Sequence, residues 1–351
     1  MLFRSTFTAT IPGAGGTVDF QDNGASIAGC NAQPVSSSGS ATCTTSSLAA
    51  GSHAIRAMYS GNGSYSAGIA GPITQTVNVS SAPTAATTPT PSATATSLNV
   101  QGLWWRPSES GWGVNVTQQG DIVFATWFTY DASGKGQWLV MPSGARTGDN
   151  AYSGTLYRTT GPAFGGAFNP QQVVSTPVGT ASFTFSDANT GTFTATVNGA
   201  TVSKPITRQI FAAAVPTCAV GGTAGATPNY QDLWWRTSGS ESGWGMNLTH
   251  QGDTIFLTWF TYDTDGQGLW LVATATMVAP GLYSGTLYRT TGPAFNAQSW
   301  DPAGVSVTTV GQVTLAFGDS DNGVFTYSVN GVTQSKPVSR EVFATPKSVC
   351  R

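Results

Sequence analysis

The stretch Leu103-Trp104-Trp105-Arg106-Pro107-Ser108-Glu109-Ser110-Gly111-Trp112-Gly113 returns as Leu233-Trp234-Trp235-Arg236-Thr237-Ser238-Gly239-Ser240-Glu241-Ser242-Gly243-Trp244-Gly245. Each occurrence opens one copy of a repeat, placed at 99–211 and 230–351, and the copies align almost without gaps apart from the residues inserted before Glu241. Within a copy, apolar and polar residues alternate. Ala181, Phe183 and Phe185 oppose Thr180, Ser182 and Thr184, and Phe193, Ala195 and Val197 oppose Thr192, Thr194 and Thr196. A period of two is the mark of a strand, because successive side chains point to opposite faces of a sheet. Asn198-Gly199 and Asn330-Gly331 then supply type I′ hairpin turns. No 3.6-residue period competes. Roughly eight short strands per copy predict an all-β protein whose repeats are antiparallel meanders, closed as small barrels or folded as sandwiches.

One strand departs from the alternation. Over 122–130, Ile122, Phe124, Thr126, Phe128 and Tyr130 share one face, and Val123, Ala125, Trp127 and Thr129 share the other. Phe256, Phe260 and Tyr262 against Ile255, Leu257 and Trp259 repeat this in the second copy. Two apolar faces mean either a strand covered on both sides or a wall with one face in the core and the other in a groove.

Composition narrows the partners. Charged residues are 9% of the chain, with 14 Lys and Arg against 16 Asp and Glu. With no basic field to neutralise phosphates, nucleic acid is not expected as a partner, nor is an anionic membrane. No apolar run is long enough for a spanning helix. The Thr- and Ser-rich alternate faces argue against an outer-membrane barrel, so no membrane insertion is expected. The opening residues, Met1-Leu2-Phe3-Arg4-Ser5, read as the scar of a truncated gene, so the missing signal peptide says nothing against export.

The segment 6–79 carries Gly16-Thr17-Val18-Asp19-Phe20, then Gly51-Ser52-His53-Ala54-Ile55-Arg56-Ala57-Met58-Tyr59-Ser60-Gly61, then Gln75-Thr76-Val77. Short alternating strands between Gly and Asn clusters predict a β-sandwich. These motifs resemble the bacterial Ig-like repeats of surface and secreted proteins. The family's first strand is expected to be missing or replaced here, leaving an exposed sheet edge. Cys30 and Cys43 flank a Ser- and Gly-rich excursion and are expected to form a disulfide worth about 3 kcal/mol to so small a domain. Such a bridge implies an oxidising compartment, hence an extracellular or cell-surface location. A Pro-, Thr- and Ala-rich spacer occupies 80–98, and a shorter linker is expected over 212–229. Cys218 and Cys350 each lie seven residues past Phe211 and Phe343, so they are equivalent positions, and a bridge between them is predicted to staple the copies.

Catalytic chemistry finds little support. The chain has two His. His53 belongs to an Ig-like strand, and His250 is replaced by Gln118 in the first copy. Asp131, Asp263, Asp121 and Asp253 sit beside Gly in turns, where Asp bonds its own backbone. Glu109 and Glu241 are the exception. A structural ion pair with Arg106, Arg158 or Arg208, or with Arg236, Arg289 or Arg340, is the leading account, with a ligand contact beside it. Adjacent tryptophans on a strand must face opposite sides. Trp104 or Trp105 with Glu109, Asn115 and Gln119, and Trp234 or Trp235 with Glu241, Asn247 and Gln251, are therefore the candidate ligand-binding groups. Stacking on an indole beside polar groups suits a sugar. Core packing is the alternative for most of the tryptophans.

Glu-Ser-Gly-Trp-Gly, Gln-Gly-Asp and Trp-Phe-Thr-Tyr-Asp resemble the Trp-rich β repeats appended to secreted bacterial proteins, a resemblance that implies no assigned activity. The expectation is a non-catalytic, monomeric, extracellular protein without cofactor or metal, binding a neutral ligand such as a glycan or a cell-surface partner. A purely structural stalk or adhesin, and a hydrolase of unfamiliar design using Glu109 and Glu241, are the alternatives.

Overall fold

The computed structural model describes residues 5–13, 15–45, 48, 51–77, 98–237 and 240–351, which fall into two compact units within 1–93 and 94–351. Except for residue 98, the expected spacer over 80–98 lies outside the described residues.

In the first unit, Thr17–Asp22 pairs with Gly51–Tyr59, which pairs with Gly68–Val77, and the short strands Ala25–Ser26 and Gln33–Pro34 flank Thr17–Asp22. Ser5–Thr10 pairs with Ser40–Thr45 in a second sheet. The chain thus pairs from its first described residue, Ser5 with Thr45. Phe7 goes to the core while its Thr neighbours stay outside, which is the alternation an edge strand needs. Cys30 and Cys43 form the expected disulfide, buried with Phe7, Val18, Phe20 and Ile55. His53 is buried and its Nδ1 lies 2.6 Å from Asp22 Oδ2.

In the second unit each repeat closes as a barrel of eight antiparallel strands. The first runs Gly102–Trp105, Gly113–Gln119, Ile122–Tyr130, Gly136–Gly148, Ala151–Thr160, Val174–Phe185, Thr190–Val197 and Ala200–Arg208. The second repeats it from Asp232–Arg236 to Val332–Arg340. Of the two architectures left open, the barrel is found. A barrel of this strand number has just enough interior for side chains, and the alternating positions fill it. Trp104, Trp127, Phe183, Phe185 and Phe193 occupy the first core, with Trp104 and Phe185 centroids 4.7 Å apart. Trp234, Trp259, Phe325 and Tyr327 occupy the second.

The two-sided strands mark where the barrels meet. Val123, Ala125 and Trp127 face their own core, while Phe128 and Tyr130 join Trp138, Leu233, Phe260, Tyr262 and Trp270 in a separate cluster between the barrels. Phe128 lies 6.3 Å from Phe260, and Trp138 lies 5.0 Å from Phe260. The barrels also exchange loops. Phe164 and Phe168 pack on the second core, and Phe295 and Trp300 on the first.

The segment 212–229 is not a free linker. Ala214 accepts a hydrogen bond from the Gly252 N–H, and Cys218–Val220 pairs with Ser348–Cys350. Its low apolar content suggested a spacer, yet its backbone groups find partners on the opposite repeat. The bridge between Cys218 and Cys350 is present and closes a separation of 132 residues. In the chain-entropy account, a loop that long is worth about 5 kcal/mol. Among the described residues, no helix is long and apolar enough to cross a membrane.

Candidate functional site: two clefts at the barrel junction

The opening stretch of each repeat divides its tryptophans. Trp104 and Trp234 are fully enclosed, and their indole N–H groups donate to the carbonyls of Val100 and Tyr230 at 3.0 and 2.9 Å. Arg208 and Arg340 lie over their faces at 4.7 and 5.0 Å. Neither indole has a free face for a ligand. Trp105 and Trp235, next along the strand, point outward and are half-buried.

Glu109 is held from three sides. Arg106 Nη1 and Lys204 Nζ each lie 2.9 Å from Oε1, and Trp112 donates its indole N–H to Oε2 at 3.2 Å. Glu241 repeats the pattern with Lys336 at 2.7 Å, Arg236 at 3.5 Å and the Trp244 N–H at 3.0 Å. The carboxylate thus ties the turn after the first strand to the last strand of its barrel. Arg106 and Arg236 were among the expected partners; Lys204 and Lys336 were not, because no local spacing links them to the Glu.

Gln119 and Gln251 are clamps between repeats. Gln119 Oε1 accepts from the N–H groups of Phe343 and Ala344 at 3.0 and 2.9 Å, and its Nε2 donates to Glu341 O at 2.8 Å. Gln251 does the same for Phe211, Ala212 and Gln209. Asn115 is buried between the barrels, 3.4 Å from both Thr258 Oγ1 and Thr249 Oγ1. Asn247 is buried there too, and its Nδ2 has no partner among the described residues. These four side chains are drawn into the junction, so the groups first grouped around the Trp pairs do not converge on one surface.

What does converge is a pair of clefts walled by equivalent residues of the two repeats. One, of about 270 Å³, is walled by Trp105, Leu103, Phe128 and Gln209, with Trp270 and Val305 from the second repeat. Its counterpart, of about 430 Å³, is walled by Trp235, Leu233, Phe260 and Glu341, with Trp138 and Val173 from the first. The glycine corner shapes both. Gly111 and Gly243 have φ of +117° and +125°, and a Cβ there would stand 2.5 Å from Val305 and Val173 of the exchanged loops. Only glycine permits that approach without strain. Tyr130 and Tyr262 then donate to the carbonyls of Gly111 and Gly243 at 2.7 and 2.6 Å, fixing the cleft floor. Burial pushes both phenols up to about 12.

The clefts differ in charge. Burial, and then the neighbouring Asp232 carboxylate, push Glu341 up to about 7. Glu341 went unremarked in the sequence because it lies outside the conspicuous Trp stretch. The available signal was its alignment with Gln209, an acid against an amide in a chain poor in acids.

Residues 3–78 match the family model of the bacterial Ig-like domain (group 3), so this segment is an Ig-like domain. No curated protein and no solved structure matches the chain.

Proposed function

We propose that the tandem barrel is a non-catalytic binding unit whose two aromatic clefts take a neutral ligand, a glycan, at the surface of or outside a bacterial cell. An Ig-like domain suggests a surface or extracellular modular protein. The observation that carries the binding reading is the outward, half-buried Trp105 and Trp235, each at the mouth of a largely apolar cleft. An indole face beside a polar side chain, Gln209 in one cleft and Glu341 in the other, suits the apolar face of a sugar ring with its hydroxyl rim. Against a hydrolase, both Glu109 and Glu241 are neutralised by a Lys and an Arg, and each binds an indole of its own repeat. Both oxygens of each carboxylate are thereby taken up by side chains of its own repeat.

The test is tryptophan fluorescence across a panel of neutral polysaccharides. The expected result is a shift or quench with at least one of them, weakened roughly tenfold by Trp105→Ala together with Trp235→Ala, the loss typical of an aromatic anchor. No response to any polysaccharide, with a normal melt, would instead favour a purely structural stalk. That second reading draws on the burial of Trp104, Trp112, Trp127, Trp138 and their counterparts.

A further inference from the structure

We propose that the cleft walled by Trp235 and Glu341 takes an alkylated ammonium group, and that its counterpart at Trp105 and Gln209 does not. The inference rests on the reading of both clefts as binding sites, leaves the neutral ligand to the Trp105 cleft and gives the Trp235 cleft a cationic one.

The equivalence of the two repeats makes each cleft the control for the other. Trp, Leu, Phe and Val walls recur at equivalent positions, but Gln209 becomes Glu341 and Val307 becomes Ser175, and the volume rises from about 270 to about 430 Å³. Every other Glu of the two repeats is neutralised: Glu109 by Arg106 and Lys204, Glu241 by Arg236 and Lys336. The Glu341 carboxylate has neither a hydrogen bond nor an ion pair among the described residues. The nearby cations are committed elsewhere. Arg340 binds Asp232 at 2.9 Å and the carbonyls of Asn229 and Gln231, and Lys347 binds Asp321 at 2.9 Å.

A carboxylate left unpaired in an apolar wall is costly unless a cation joins it. One carboxylate is too few oxygen ligands for a hard metal ion. An ammonium carrying methyl groups satisfies both parts of the wall. Its charge meets the carboxylate, and its methyls meet the half-buried Trp235 indole by cation–π attraction, with Trp138 and Phe260 completing the apolar wall.

Calorimetric titration of the full chain at pH 8 with choline and its neutral isostere 3,3-dimethylbutan-1-ol tests this, the pH being set above the Glu341 value of about 7. Choline is expected to bind at one site at least ten times more tightly than the alcohol. Glu341→Gln should bring that ratio to within twofold, and Gln209→Glu should create a second choline site. Should Glu341→Gln not fold, the gain at Gln209→Glu decides the matter. Equal binding of choline and the alcohol, absence of choline binding, or a preference that survives Glu341→Gln would overturn the proposal. Polysaccharide binding by the Trp105 cleft does not depend on Glu341, so failure here and failure of the glycan reading are separable outcomes.

Discussion

Trp138 donates its indole N–H to the carbonyl oxygen of Thr261, a residue of the other barrel, at 2.9 Å. Trp270 returns the bond to Thr129 at 3.1 Å. The reciprocity extends along the junction: the Phe164 N–H reaches Tyr262 O, and the Phe295 N–H reaches Tyr130 O. Each barrel therefore supplies buried polar partners that the other lacks, and an isolated repeat would expose orphaned backbone and indole groups with an apolar face.

A chain limited to residues 98–217 should accordingly restore the junction with a second copy of itself, since a reciprocal contact between similar repeats is one step from an isologous one. Light scattering is expected to report a dimer at micromolar concentration. A stable monomer with a native-like melt would mean that the junction is dispensable.

Glu109→Ala should destabilise the tandem by about 3 kcal/mol, because it removes the carboxylate shared by Lys204, Arg106 and the Trp112 indole N–H. Chemical denaturation gives the number. Unchanged stability would remove the structural role of the carboxylate and reopen a ligand role.

His250 gives a pH dependence with a definite sign. Its Nδ1 accepts the Tyr230 N–H at 3.0 Å and its Nε2 lies 3.1 Å from the Tyr283 hydroxyl, and burial pushes it down from 6.5 to about 4. Protonation would destroy the acceptor. A lowered folded-state value means that the stability this site supplies is complete above pH 6.5 and is lost as pH falls, with about 3 kcal/mol gone by about pH 4. Gln118 does the same work in the first repeat without titrating, accepting the Val100 N–H at 2.9 Å and donating to the Tyr152 hydroxyl at 3.1 Å. His250→Gln should therefore fold and flatten the acid limb of a stability curve measured between pH 4 and 7. An acid limb as steep as before would place the titration elsewhere.

Gly243→Ala should cost about 2 kcal/mol or more, because it puts a methyl 2.5 Å from Val173 at a φ of +125°. The damage should be local. Hydrogen exchange is expected to rise first in 161–173, the loop seated on the second barrel, and a uniform rise across both barrels would contradict this.

Strand content, the repeat, both disulfides and the equivalence of Cys218 and Cys350 were legible because each depends on local alternation or on position within the copy. The junction was not. A strand such as Ile122–Tyr130, apolar on both faces, reads the same whether a second barrel, a sheet or a ligand covers it. Gln119 and Gln251 looked like polar groups available to a ligand, when their amides are consumed by backbone from the far repeat. Such contacts span more than 200 residues for Gln119 and Phe343, and no local pattern encodes them. Trp104 and Trp105 were correctly expected to face opposite ways, but which one faced inward depends on barrel closure.

The disulfide between Cys218 and Cys350 also sets how the tandem carries tension. A pull applied between residue 98 and Arg351 loads the first barrel, reaches Cys218, and crosses the bridge to Cys350 and the last residue. Residues 219–349, the whole second barrel among them, lie on a covalent side branch of that path. Under load the first repeat would unravel while the second, with its larger cleft, stayed mechanically shielded.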